Sequence, residues 1–165
     1  MGQNRRADAV IFGFDFQVNA AIVLFLENIK DVKSLRLEGD YEDIELELNT
    51  GEYILAQAKA VEKASDDFRN VRANMKKALE SLSEASQKTK TKELIVVTNS
   101  PNPFNDKDSR DAFYGHSHRT YDSLPKSAKR IVDGYLNKTI SPLERKKLKI
   151  QVIPFCLCCF NLSQN

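Results

Sequence analysis

The chain predicts a single α/β domain whose elements run helix, three strands, helix, strand, and then a further helix and strand. Three observations lead there. At 165 residues there is no room for a second full domain. A chain of this size buries about 68–70% of its unfolded surface, enough for a core without disulfide or metal staples. The apolar residues also switch between a helical period and strict alternation along the sequence.

Taken in order, Phe12 to Lys30 is dense in apolar residues, with Phe16, Ala20, Val23, Leu24 and Ile29 spaced for a helix largely enclosed by protein. Asp15 reads as its N-cap. Lys33 to Glu38 reads as a strand and Gly39-Asp40 as a turn. Glu42 to Leu48 alternates strictly, Ile44, Leu46 and Leu48 on one face and Asp43, Glu45 and Glu47 on the other, which predicts a half-buried strand with a solvated acidic row. Asn49-Thr50-Gly51-Glu52 supplies hairpin chemistry. The strand that follows, Tyr53 to Ala60, carries small Ala56, Ala58 and Ala60 on the face a helix would cover, and Leu55, Gln57 and Lys59 on the other.

After Ser65, a predicted cap, Phe68, Val71, Met75, Leu79 and Leu82 recur at helical spacing to about Ala85. Ser86 to Lys92 reads as a solvated connection, Glu93 to Thr98 as a buried strand that Asn99-Ser-Pro-Asn-Pro103 ends, and 99–124 as a long irregular loop. A helix over Pro125 to Leu136 and a strand over Leu148 to Phe155 complete the chain.

The net charge of +2 excludes a histone-like protein or a basic tail. It conceals an asymmetry: residues 1–60 hold 6 basic and 11 acidic side chains, and residues 61–165 hold 19 and 12. The uninterrupted apolar run Ala20 to Leu26 is too short to span a bilayer and the start lacks a signal-peptide pattern, so a cytoplasmic protein with no membrane partner is expected. Cys156, Cys158 and Cys159 sit too close for a disulfide framework and read as buried thiols in a reducing compartment; zinc would need ligands from elsewhere. No Walker loop, GxGxxG, GxSxG or zinc-finger spacing is present.

The chemistry-bearing residues gather at the hairpin. Asp43 opens one strand and Gln57-Ala58-Lys59 closes the next, so an acid, an amide and an ammonium meet at one sheet end if the register allows it. A two-residue loop at Thr50-Gly51 would put Asp43 on the wrong face. An odd loop such as Thr50-Gly51-Glu52 sets Asp43 across from Lys59 and Glu45 across from Gln57. In isolation, Asp43, Glu45 and Glu47 also fit a solvated strand face.

The segments Gly13-Phe-Asp-Phe-Gln17, Leu37-Glu-Gly-Asp-Tyr-Glu-Asp-Ile44, Gln57-Ala-Lys59 and Leu94-Ile-Val-Val-Thr-Asn99 together resemble the PD-(D/E)xK nuclease superfamily, and within it the nuclease domains of CD-NTase-associated anti-phage endonucleases and, more loosely, Mrr-type restriction enzymes. The resemblance implies a restriction-endonuclease-like αβββαβ core, a mixed central sheet flanked by helices, over about residues 12–100, with an extension over about 101–155. It implies a metal-dependent DNA endonuclease serving as effector in a bacterial anti-phage or restriction system. The single domain over 1–165 then reads as the N-terminal part of a longer protein, beside a sensor or ATPase domain or subunit, with oligomerisation plausible. By the same resemblance Asp43 is the metal-binding aspartate, Gln57 the variable Glu-or-Gln ligand and Lys59 the catalytic lysine, with Mg²⁺, or Mn²⁺, as cofactor. Gln17, Glu27 and Glu42 are supporting candidates. The Gln at 57 in place of the commoner acid also fits a silent nuclease-like domain that binds nucleic acid or a partner protein.

A basic groove for double-stranded DNA is expected from Lys76, Lys77, Arg110 and Arg119, through sequence-independent phosphate contacts. His116 and His118 stand two apart in the predicted loop, where a metal site would need further ligands.

Overall fold

The computed structural model describes residues 2–61, 68–115 and 117–155. Among them run α1 (Gly2–Glu27), β1 (Val32–Leu37), β2 (Ile44–Leu48), β3 (Tyr53–Lys59), α2 (Phe68–Ser86), β4 (Thr91–Thr98), β5 (Ser117–Thr120), α3 (Lys126–Leu136) and β6 (Leu148–Val152). The strands form one mixed, open, six-stranded sheet in the order β1-β2-β3-β4-β6-β5. β2 runs antiparallel to both β1 and β3, while β3, β4 and β6 are parallel and β5 closes the far edge antiparallel to β6.

Alternation along the strands sorts two cores. Ile44, Leu46, Leu48, Ile54, Ala56, Ile95 and Val97 face α1 and pack on its Phe16, Ala20 and Leu24. Leu55, Leu94, Val96, Leu148 and Ile150 face the other way and pack beneath α2 and α3, on Met75, Leu79, Leu82, Val132 and Leu136. The small residues of β3 thus lie under α1, as their size predicts.

The turn between β2 and β3 is odd, as the site requires, and lies one residue earlier than expected. Leu48 N–H donates to Glu52 O at 2.8 Å and Gly51 N–H to Leu48 O at 2.9 Å, leaving Asn49-Thr50-Gly51 as the loop. Gly51 supplies the left-handed residue of such a three-residue turn, at φ 80°. Ile44 therefore pairs with Ala56 and Glu45 with Leu55. The parity is the predicted one and the register is displaced by two, so Asp43 stands at the level of Gln57, not Lys59.

Several sequence expectations are corrected. α1 begins about ten residues before Phe12, because residues 2–11 hold no proline and no break in helical propensity, so Asp15 lies inside the helix and caps nothing. α1 is not largely enclosed: Val10, Ile11, Phe14, Ile22 and Leu26 are each at least half exposed. Its Asp8–Glu27 stretch is long and apolar enough, by length and composition, to cross a membrane, with one third of it buried inside the protein. Asp15, Gln17 and Asn19 interrupt the stretch, so no uninterrupted apolar run in it reaches that length. The 99–124 segment is not a loop throughout. It buries Phe104, Phe113 and Leu124 and contributes β5, whose Ser-His-Arg-Thr has no apolar alternation to announce it. Thr91, assigned to the solvated connection, is buried at the start of β4. The predicted cap at Ser65, His116, and the three cysteines lie outside the described residues.

Two glycines test the backbone reading. Gly51→Ala places a side chain at positive φ and is expected to cost about 1 kcal/mol in urea denaturation, whereas Gly134→Ala, inside α3 with open space around it, is expected to gain about 0.5–1 kcal/mol.

Candidate functional site

The site grows from the loop between β1 and β2. Glu38 N–H donates to Asp43 O at 2.9 Å and Gly39 N–H to Glu42 O at 3.2 Å, which folds residues 38–43 into a tight arch. Glu38 sits in the left-handed region at φ 49°, a strained position for a residue with a side chain. Glu45 braces the arch from within. Its Oε1 accepts from the backbone N–H groups of Tyr41 and Glu42, while its Oε2 is buried without a hydrogen-bond partner. A Cβ on Gly39 would fall 2.2 Å from the Glu45 carboxyl carbon, so only glycine fits there while Glu45 keeps its place.

Glu45 is 1% exposed, which corrects the expected solvated acidic row. Position 45 shares a face with Leu55, and that face is the one α2 covers. Alternation shows which residues share a face; it does not show which face a later helix will bury. Leu55 was the available signal, since an apolar residue in the middle of a supposedly wet face marks a covered one.

The arch delivers Glu42 and Asp43 to the ends of β3 and α2. Gln57 Nε2 donates to Glu42 Oε2 at 2.5 Å, and Ser81 Oγ, on α2, donates to Glu42 Oε1 at 2.8 Å. Ala58 N–H donates to Asp43 Oδ2 at 3.1 Å, and the Lys59 ammonium acts on the Asp43 charge. From the opposite layer, Gln17 Nε2 donates both to Asp43 O and to Glu38 Oε1, each at 2.8 Å. The structure thus brings together Gln17, Glu42, Asp43, Gln57 and Lys59. Ser81 and Glu38 are not among the sequence candidates, and Glu45, expected across from Gln57, pairs with Leu55 instead; Ser81 lies too far along the chain for any local pattern to pair it with Glu42.

Glu27 stands apart: Gln151 of β6 donates to both of its carboxylate oxygens, at 3.0 and 3.1 Å. The basic candidates are also dispersed. Lys76 and Lys77 lie on the solvent face of α2, with Lys76 3.6 Å from Glu80. Arg119 is on β5, three strands from β3 across the sheet, and Arg110 is in the short turn before it. His118 is exposed on β5.

Burial dominates the electrostatics. It lifts the Glu42 carboxyl above its ordinary 4.5, against the lowering effect of the Ser81 and Gln57 hydrogen bonds, and the neighbouring Asp43 charge adds to the rise. It lifts Asp43 above 3.8 as well, opposed first by the Lys59 charge and then by the Ala58 N–H. Two adjacent, desolvated carboxylates beside an amide offer hard oxygen donors whose repulsion a divalent cation would relieve. No cluster of three or more His, Cys, Asp or Glu with metal-holding geometry occurs among the described residues. The donor set is therefore two carboxylates and an amide, which fits an ion that keeps several waters. Beside it, Lys59, Val61, Asn74, Met75, Val96 and Thr98 help line a small cavity of about 10 Å³, about what one water needs.

Set beside known proteins, the chain matches no family model, no curated protein and no solved structure.

Carboxyls that titrate higher folded than unfolded hold protons the unfolded chain has released, so their contribution to stability is lost as the pH rises past 4.5 for Glu42 and 3.8 for Asp43. Glu42→Gln is therefore expected to match the parent near pH 4 and to exceed it by on the order of 1 kcal/mol at pH 7, read from urea midpoints. Equal midpoints at both pH values would remove the electrostatic cost from this site.

Proposed function

We propose that the chain is a Mg²⁺-dependent DNA endonuclease of the restriction-endonuclease-like class, acting as an effector in a bacterial anti-phage or restriction system. The observation that carries the reading is the convergence of the Asp43 carboxylate, the Gln57 amide and Lys59 at one end of β2 and β3, on the face where the turn parity puts all three. The element order, with three antiparallel strands followed by a helix and a parallel strand, supports it.

Asp43, Gln57 and Glu42 are the residues that would hold the cation. Bound there, Mg²⁺ supplies Lewis-acid polarisation of a phosphate oxygen and a more acidic water. The remaining work belongs to the chain. Lys59, whose charge acts on Asp43, places an ammonium where negative charge builds on the phosphorus oxygens. Ala58 N–H fixes the Asp43 carboxylate through Oδ2. Gln17 pins the Asp43 carbonyl, so the acid cannot retreat when its charge is neutralised.

A second reading is motivated by Glu42, whose two oxygens are already occupied by Gln57 and Ser81. A carboxylate satisfied within the protein has less to offer a metal, which favours a silent nuclease-like domain that binds nucleic acid or a partner.

Supercoiled plasmid incubated with the parent in Mg²⁺ or Mn²⁺ is expected to be nicked and linearised, with Asp43→Ala and Lys59→Ala each slower by about 100-fold or more. An inert parent that still binds DNA in a salt-sensitive manner selects the silent reading. Variants as active as the parent overturn the catalytic assignment.

A further inference from the structure

Among the described residues the Glu45 carboxylate hydrogen-bonds to backbone alone. Its Oε1 accepts from the consecutive N–H groups of Tyr41 and Glu42, the latter at 3.1 Å, while its Oε2 is buried without a partner. Two successive N–H groups aimed at one oxygen form a concave nest, a backbone shape that an anion stabilises. That shape sets the directions in which the next two side chains leave the arch. Glu42 leaves toward Gln57 and Ser81, at 2.5 and 2.8 Å, and Asp43 toward Ala58 N–H at 3.1 Å. The base of the arch is closed by Glu38 N–H and Gly39 N–H, which donate to the Asp43 and Glu42 carbonyls.

We propose that Glu45 is a positioning residue of the site: acting through the Tyr41 and Glu42 amides, it sets the affinity of Glu42 and Asp43 for a divalent cation without ligating the cation itself. The proposal rests on the reading that Glu42 and Asp43 hold such an ion. Glu42, Asp43 and Glu45 do not form a three-acid metal-holding group, so Glu45 stands outside the coordination shell. Its charge is committed instead to two N–H groups, in bonds stronger than a neutral acceptor makes. The Glu42 N–H is buried, and without this acceptor the arch would have to shift to pair it again. Such a shift would carry both candidate ligands with it.

Gly39 shows the same dependence from the other side of the arch. The three atoms that a Cβ at this position would meet first are the carboxyl carbon and both oxygens of Glu45, all too close for a real contact. Gly39 does not lie at positive φ, unlike Gly51 and Gly115. The obstacle to a side chain at 39 is therefore Glu45 and not the backbone. Gly39→Ala displaces the Glu45 carboxyl while leaving every acid in the chain, and Glu45→Ala clears the space that a Cβ at 39 would need.

Binding of Mn²⁺ to the full chain, followed through the paramagnetic resonance signal of the free ion, reads the affinity without requiring activity. The parent is expected to bind Mn²⁺ at a site that Asp43→Ala abolishes. Glu45→Ala and Gly39→Ala are each expected to weaken it about 10–100-fold with an unchanged far-UV spectrum. Glu45→Gln keeps an oxygen for both N–H groups and puts its nitrogen where Oε2 already lacks a partner, so it is expected to retain most of the affinity. The double variant Gly39→Ala, Glu45→Ala is expected to bind no more weakly than Glu45→Ala alone, because the obstacle at 39 is gone. If Glu45→Ala does not fold, Gly39→Ala set against Glu45→Gln carries the same comparison. Parent-like affinity in both alanine variants, a Glu45→Gln as weak as Gly39→Ala, additive losses in the double variant, or a parent that binds no Mn²⁺ would each overturn the proposal. A parent that binds Mn²⁺ with this order of affinities and leaves plasmid intact upholds it, and tells against the endonuclease reading alone.

Discussion

The arrangement of the molecule depends on the parity of one tight turn. Strand side chains alternate, so the number of residues between Leu48 and Glu52 decides whether Asp43 and Glu45 share a face with Gln57 and Lys59 or with Ala56 and Ala58. Asn49-Thr50-Gly51 is an odd turn, and Gly51 makes it possible by accepting a positive φ. With one residue fewer, Ile44, Leu46 and Leu48 would leave the α1 core and the carboxylates would enter it. The hydrophobic pattern and the turn therefore enforce each other: the aliphatic face must meet α1, and only an odd turn then leaves acid, amide and ammonium together under α2.

That placement concentrates unfavourable features in a small volume. Two adjacent carboxylates are held above their usual titration range by burial, Glu38 occupies the left-handed region, and Glu45 keeps one buried oxygen without a partner. Each opposes folding, and such features persist only where surrounding structure overrides them. Here the core faces of β2 and β3 do so, with Ile44, Leu46, Ile54 and Leu55 wholly buried on either side of the arch. The amide at 57 has a physical rationale in the same terms. An acid at that position would set a third carboxylate against Glu42 and Asp43, whereas Gln57 donates a proton to Glu42 and lets the cluster close in the absence of a cation.

Much of this was legible in the sequence, for a definable reason. Alternation and helical spacing are local, so β1 to β4, α2, α3 and the face shared by Asp43, Gln57 and Lys59 all followed from short windows. What escaped was non-local. Ser81 meets Glu42 across 39 residues, and Glu27 meets Gln151 across 124, pairings no window contains. β5 is four polar residues that become a strand only because β6 offers an unpaired edge. Glu45 reads as solvated because the alternate positions Asp43 and Glu47 are charged; its neighbours in space are Leu55 and the helix above it.

α1 shows the same boundary at the level of a whole helix. A segment apolar on every side reads as enclosed, since burial all round is the commonest way for such a helix to exist in a soluble domain. A single sheet buries only one side of a helix, however, and among the described residues no element covers the outer face of α1. Composition alone cannot choose between a bilayer and a protein as the missing cover. The pattern of the few polar residues can: Gln17 and Glu27 are tied inward, Asp8 and Asp15 border the outer face, and basic residues are confined to its ends. Negative charge beside an apolar face repels an anionic lipid surface. The acidic excess of the first sixty residues is thereby divided between the buried acids of the arch and the border of the outer face of α1.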